Sequence, residues 1–195
     1  RDPFKVLVAE VLLQQTFARK VVGPYRELIK RYPTPAKLAH ARVSELRKII
    51  RPLGLIGRAQ RLKQLGSELV TKYDSRVPKE QGGLLKLMGV GRYAASAVRC
   101  FAFGHEASIL DANVVRVLNR VFGAGLRAPN ASPSAAAWQA VESLPGFRWD
   151  RSRNLALLDF AAVTCTHYRP RCYACPVQRL CKFDDKNLVE PADAE

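Results

Sequence analysis

The chain has 195 residues, of which 48% are hydrophobic, with 32 Lys and Arg against 17 Asp and Glu and a formal net charge of +15. That composition suits one full domain or two small ones and excludes disorder as the main state. Lys, Arg, Gln or Gly interrupt every apolar run before the roughly 18 to 20 residues needed to cross a bilayer, and no charged leader with a small-residue cleavage site opens the sequence. The expectation is therefore a cytoplasmic protein with no membrane partner. A cationic surplus spread over folded sequence points to an anionic partner, most commonly a nucleic-acid backbone; a basic protein with no polyanion to bind is the alternative.

Helical periodicity dominates from the start, and alternating strand patterns are nearly absent. Phe4, Val8, Val11 and Leu12 share one face, and Glu10 sits beside them ahead of an apolar run that can shield it. Breaks at Tyr32-Pro33-Thr34-Pro35 and Arg51-Pro52-Leu53-Gly54 precede a second face formed by Leu62, Leu65, Leu69 and Tyr73. After Val77-Pro78 comes Leu87-Met88-Gly89-Val90-Gly91-Arg92-Tyr93, two glycines around one apolar residue between a helix ending near Leu87 and one starting near Arg92. The N–H groups of Gly89, Val90 and Gly91 at such a turn can receive a phosphate, helped by Arg92 and Lys86; a plain connection between helices has the same pattern.

Cys100 falls in an apolar run and reads as core. Asp111 follows Ile109-Leu110 and opens an amphipathic helix, where it caps the helix and is held stiffly enough to stabilise a developing cation. Gly123-Ala124-Gly125 and Leu144-Pro145-Gly146 are further breaks, residues 128–137 read as a loop leading into a helix at Trp138, and residues 191–195 as a frayed end. The whole is an all-α chain of eight to ten helices. Cys165, Cys172, Cys175 and Cys181 form C-x6-C-x2-C-x5-C. Two short knuckles are usual for zinc, whereas one close pair with wider outer spacings suits an iron–sulfur cubane, a [4Fe-4S] cluster, with zinc as the alternative. His167, Arg169, Arg171, Arg179 and Lys182 surround these positions and can offset thiolate charge or meet phosphates.

The Gly-Val-Gly hairpin, the Asp about twenty residues beyond it and the terminal cysteines together resemble the helix–hairpin–helix DNA glycosylases of the endonuclease III superfamily, from Asp2-Pro3-Phe4 to Cys181. The resemblance implies a six-helix barrel domain with the hairpin over residues 1–105 and an iron–sulfur cluster domain over 106–195, with mismatched double-stranded DNA bound across the cleft between them. It also implies a monomer acting at the nucleoid of a prokaryotic cell. Members that cleave the strand carry a Lys nucleophile where this chain has Tyr93, so the implied enzyme is monofunctional, with water attacking the sugar and Tyr93 packed against it.

Two branches share Ala9-Glu10-Val11-Leu12-Leu13-Gln14-Gln15-Thr16 in close form: mismatch-specific thymine glycosylases and adenine glycosylases. The run 53–59, Ala97 to Gly104 and Asp111-Ala112-Asn113 are closer to the thymine branch, as is the short stretch after Cys181. Gln14-Gln15 leans to the adenine branch, and Met88 and Ala94 stand where both usually carry Pro and Thr. The reading is removal of thymine or uracil opposite guanine. Asp111 steadies the sugar cation or guides water, and Glu10 holds a proton for the departing base or positions water. By resemblance Gln14 intercalates and Leu55 presses on the stack. A DNA-binding module without catalysis would share the charge, hairpin and cysteines, but has no need of Glu10, Tyr93 and Asp111 together.

Overall fold

The computed structural model describes residues 1–54 and 57–189, so Leu55 and the terminal residues 191–195 lie outside the described residues. Among those described, the secondary structure is helical throughout and no helix is long and apolar enough to cross a membrane. The chain divides into two compact units, Arg1–Ala107 and a second from Ser108 onward.

The first unit contains α1 (Pro3–Leu13), α2 (Ala18–Arg31), α3 (Pro35–Ala39), α4 (Val43–Ile50), α5 (Arg58–Tyr73), α6 (Gln81–Leu85) and α7 (Arg92–Phe101). Asp2 starts α1 by accepting from the N–H groups of Phe4 at 3.0 Å and Lys5 at 3.3 Å, with Pro3 where a missing donor does no harm. The expected face of Phe4, Val8, Val11 and Leu12 is buried, and Leu7 joins it. From α5, Leu62, Leu65 and Leu69 are buried, while half-buried Tyr73 directs its hydroxyl to the Gly83 carbonyl at 3.2 Å. Gly66 permits a close helix approach: a Cβ there would lie 2.7 Å from the Ala39 amide nitrogen, so any side chain would force α3 and α5 apart. Cys100 is buried, as its apolar surroundings predict.

The second unit contains α8 (Ala112–Phe122), α9 (Ala135–Glu142) and α10 (Arg151–Val163). Trp138, Val141 and Trp149 pack with Leu110, Val114 and Leu118 in one small core; Val117, Val121, Ala161 and Cys165 form another. Helix α9 begins at Ala135 and not at Trp138, because the Ser134 hydroxyl accepts from the Ala137 N–H at 3.1 Å and nucleates the turn before the first large apolar residue. Buried Asn154 stitches this unit, accepting from the Ile109 N–H at 2.9 Å and donating to the Trp149 carbonyl at 3.1 Å.

Candidate active site

Glu10 is the most unusual ionisable group of the first unit. It lies on the buried side of α1 at 7% exposure, and its Oε2 has no hydrogen-bond partner among the described residues. Removal from water raises its pKa from 4.5 to about 7, so a substantial fraction of the carboxyl is protonated at neutrality. The periodicity that buries the apolar face of α1 carries Glu10 in with it.

One helical turn further on, α1 ends in a constrained corner. Gln14 leaves the helix, half-buried Thr16 donates its hydroxyl to the Gln14 carbonyl at 3.1 Å, and exposed Gln15 sits at φ 52°, in the left-handed region that a non-glycine residue seldom occupies. The Gln14 side-chain amide donates to the Gly89 carbonyl at 2.7 Å. That bond ties the corner to the hairpin and occupies the group expected to enter DNA; the solvent-facing amide of the pair belongs to Gln15.

Within the hairpin Gly89 requires its missing side chain, at φ 78°, while Gly91 is extended and caps α7. Val90 departs from expectation. Its side chain is buried and its N–H donates inward to the Leu87 carbonyl at 3.1 Å, so this amide closes the turn and is not free for phosphate. Lys86 is exposed, and Arg92 and Tyr93 at the start of α7 are half-buried. Glu68 of α5 receives the Met88 N–H at 2.7 Å, a support that the sequence reading did not anticipate.

In the second unit both carboxylate oxygens of Asp111 are held. Oδ1 accepts from the Val114 N–H at 2.7 Å and Oδ2 from the Asn113 amide at 2.9 Å, while Arg116 donates to Asn113 Oδ1 at 2.7 Å. The expected cap is present, and Asn113 and Arg116 add a relay that fixes the carboxylate plane.

All four clustered cysteines line one cavity, together with Arg120, Val121 and Phe183. Burial raises the Cys175 pKa, and its neighbours Cys172, Cys181 and Cys165 raise it further, so the thiols are close enough to feel one another. Among the described residues no three His, Cys, Asp or Glu side chains draw together tightly enough for a single ion. Four soft sulfurs facing one space nevertheless provide the donor chemistry of an iron–sulfur group. The cations of the loop, His167, Arg169, Arg171, Arg179 and Lys182, are all exposed. Of these Arg171 also lines the cysteine cavity, and α8 adds a further guanidinium there: Arg120 lies 3.7 Å from Cys165 Sγ and donates to the Thr166 carbonyl at 2.7 Å, while Arg116 grips the Cys165 carbonyl at 2.9 Å.

The family model described as HhH-GPD superfamily base excision DNA repair protein matches residues 8–142. A thymine/uracil-DNA glycosylase of Pyrobaculum aerophilum is 40% identical over 189 residues, 95% of this chain and 82% of that protein. The adenine DNA glycosylase of Rattus norvegicus is 34% identical over 93% of this chain, which spans only 36% of it. A solved thermostable thymine-DNA glycosylase superposes with a TM-score of 0.85 at 37% identity, covering 94% of this chain and 84% of that one.

Proposed function

Because the chain belongs to the HhH-GPD superfamily of base excision DNA repair proteins, we propose that it is a monofunctional DNA N-glycosylase removing thymine or uracil mispaired with guanine. The observation that carries this reading is Glu10, a carboxyl withdrawn from water with an oxygen unpartnered among the described residues and a pKa raised to about 7. A DNA-binding module has no use for such a group. The higher identity to a thymine/uracil glycosylase, 40% against 34% for an adenine glycosylase over nearly the same stretch of this chain, supports the pyrimidine target.

The target nucleotide leaves the stack at a cost of a few kcal/mol, less at a mispair than at a matched pair. The bond from the sugar C1′ to the base nitrogen then breaks with its electron pair going to the base, and Glu10 supplies the proton that neutralises it. Positive charge grows on the sugar, where the fixed Asp111 carboxylate stabilises it and accepts the proton of the attacking water. The water oxygen bonds to C1′ and leaves an abasic site. Tyr93 offers no amine for a Schiff base, so the strand stays intact. Phosphates are met by the main chain at Gly89 and Gly91 with Arg92, and the corner at Gln14 and Gln15, with Leu55, fills the space left by the nucleotide. Cys165, Cys172, Cys175 and Cys181 would hold a [4Fe-4S] cluster whose contribution is to organise its own segment.

Labelled duplexes holding thymine or uracil opposite guanine, and adenine opposite guanine or oxidised guanine, test the proposal. We expect cleavage of the first two only after alkali; cleavage confined to the adenine duplexes would overturn the choice of base, and cleavage without alkali the absence of lyase chemistry.

A further inference from the structure

Arg58 opens α5 at 3% exposure, and none of its described hydrogen bonds goes to a carboxylate. Its Nη1 donates to the Leu12 carbonyl at 2.8 Å and its Nη2 to the Gln14 carbonyl at 2.6 Å. Both nitrogens also reach Thr16 Oγ1 at 3.2 Å. The charge is thus balanced by the carbonyl end of α1, where the helix dipole is negative, and not by an anion. Burial and nearby Arg61 both lower its pKa, which marks the position as costly for a cation.

What the guanidinium achieves there is geometric. A planar fork with several donors can hold two carbonyls and a hydroxyl in fixed relation, which an ammonium cannot do. The three acceptors span residues 12 to 16, and between them lies Gln15, exposed and held at φ 52°. Such a backbone persists only when its surroundings over-determine it. Gln14 fastens the same corner to the hairpin through Gly89, and Arg58 follows Leu55 by three residues in the sequence. One buried side chain therefore stiffens the corner that faces solvent with an amide and links it to the helix that follows the other stacking candidate.

We propose that Arg58 is a positioning residue for nucleotide extrusion. It touches no DNA, and it keeps the 14–16 corner rigid so that this corner can replace the departing nucleotide instead of yielding to the stack. The inference rests on the glycosylase reading above.

The test compares single-turnover release of uracil from two duplexes, one with uracil paired to guanine and one with uracil facing an abasic site, where no partner base holds it in. Arg58→Lys should slow release from the mispair by on the order of tenfold or more, and Thr16→Val, which leaves the cation in place, by about threefold. On the unpaired uracil each variant should stay within about twofold of the wild type, because the step that Arg58 serves is already done. Equal losses on both duplexes would reduce Arg58 to a fold-holding role and overturn the proposal, as would no loss on either. Should Arg58→Lys melt early, Thr16→Val decides the matter by the same comparison. A wild-type protein inactive on both uracil and thymine mispairs would overturn the underlying glycosylase reading, whatever the variants do.

Discussion

The corner after α1 and the cysteine segment after α10 are both irregular chain at the end of a helix, and they are secured in opposite ways. The corner is closed by protein alone: Arg58, Thr16 and the Gln14–Gly89 bond satisfy its polar groups, and the buried leucines of the first unit lie behind it. The cysteine segment is gripped by Arg116 and Arg120 at its first residues, then runs on through one 3-10 turn, Cys172–Ala174, with four thiols around a cavity. Tyr168 and Leu180 are exposed along it. The contrast separates a region closed by its own hydrogen bonds from one arranged around a donor set, and it places the costly buried ionisable groups, Glu10 and Arg58, in the first.

The largest effect should come from breaking the first region at its chemistry. Glu10→Gln keeps the shape and removes the proton, and we expect base release at pH 7 to fall on the order of 100-fold or more. Stability should move the other way. The folded pKa of about 7 lies above the ordinary 4.5, so the native state holds a proton that the unfolded chain gives up between those values, and stability declines as pH rises through that window. Above it Glu10→Gln should be the more stable protein by on the order of 3 kcal/mol, with little difference at pH 4. Denaturant melts at the two pH values check this, and a wild-type rate that fails to drop as pH rises through 7 would remove Glu10 as proton donor. Asp111→Asn makes the complementary cut in the second unit. Asn caps helices as well as Asp does, so a similar loss of release with a stability change of about 1 kcal/mol or less would separate the charge from the cap.

Next in size is the response to stripping iron with a chelator after reduction. If the thiols hold a cluster, hydrogen exchange should quicken over residues 165–189, while α1, α5 and α7 keep their protection because their core is closed without it. Protection lost equally in both units would erase the contrast, and a colourless protein unchanged by chelation would remove the cluster.

How much of this was legible in the sequence follows from the range of each interaction. The cap at Asp111 is a bond to a residue three positions on, the shielding of Glu10 is a matter of helical period, and the cysteine set announces itself by spacing. Arg58 gives no such sign, because its acceptors lie 42 to 46 residues away and two of the three are carbonyls, which every residue possesses. Arg116 and Arg120 were hidden likewise: of the loop cations that the spacing suggested Arg171 does line the cavity, but the α8 guanidiniums reach the cysteine segment only across the fold. Val90 failed for a subtler reason, since a glycine pair predicts the turn but not which of its amides the turn itself consumes.

The smallest effect concerns Met88, where the resembling families usually carry proline. Proline would stiffen the hairpin covalently and has no N–H; here the Met88 N–H is held by Glu68, whose other oxygen lies 3.6 Å from Lys72. We expect Glu68→Ala to weaken duplex binding by about fivefold, the net scale of one ordinary hydrogen bond, with single-turnover release at saturation unchanged. Met88→Pro alone should be nearly silent, because Glu68 keeps Lys72 and the Gln64 amide on its other oxygen. In the Glu68→Ala background the same change should restore affinity, since the ring supplies what the carboxylate no longer does. Additive losses in that double-mutant cycle would mean that Glu68 serves α5 and not the hairpin, and that the first region's rigidity reaches only as far as the bond from Gln14 to Gly89.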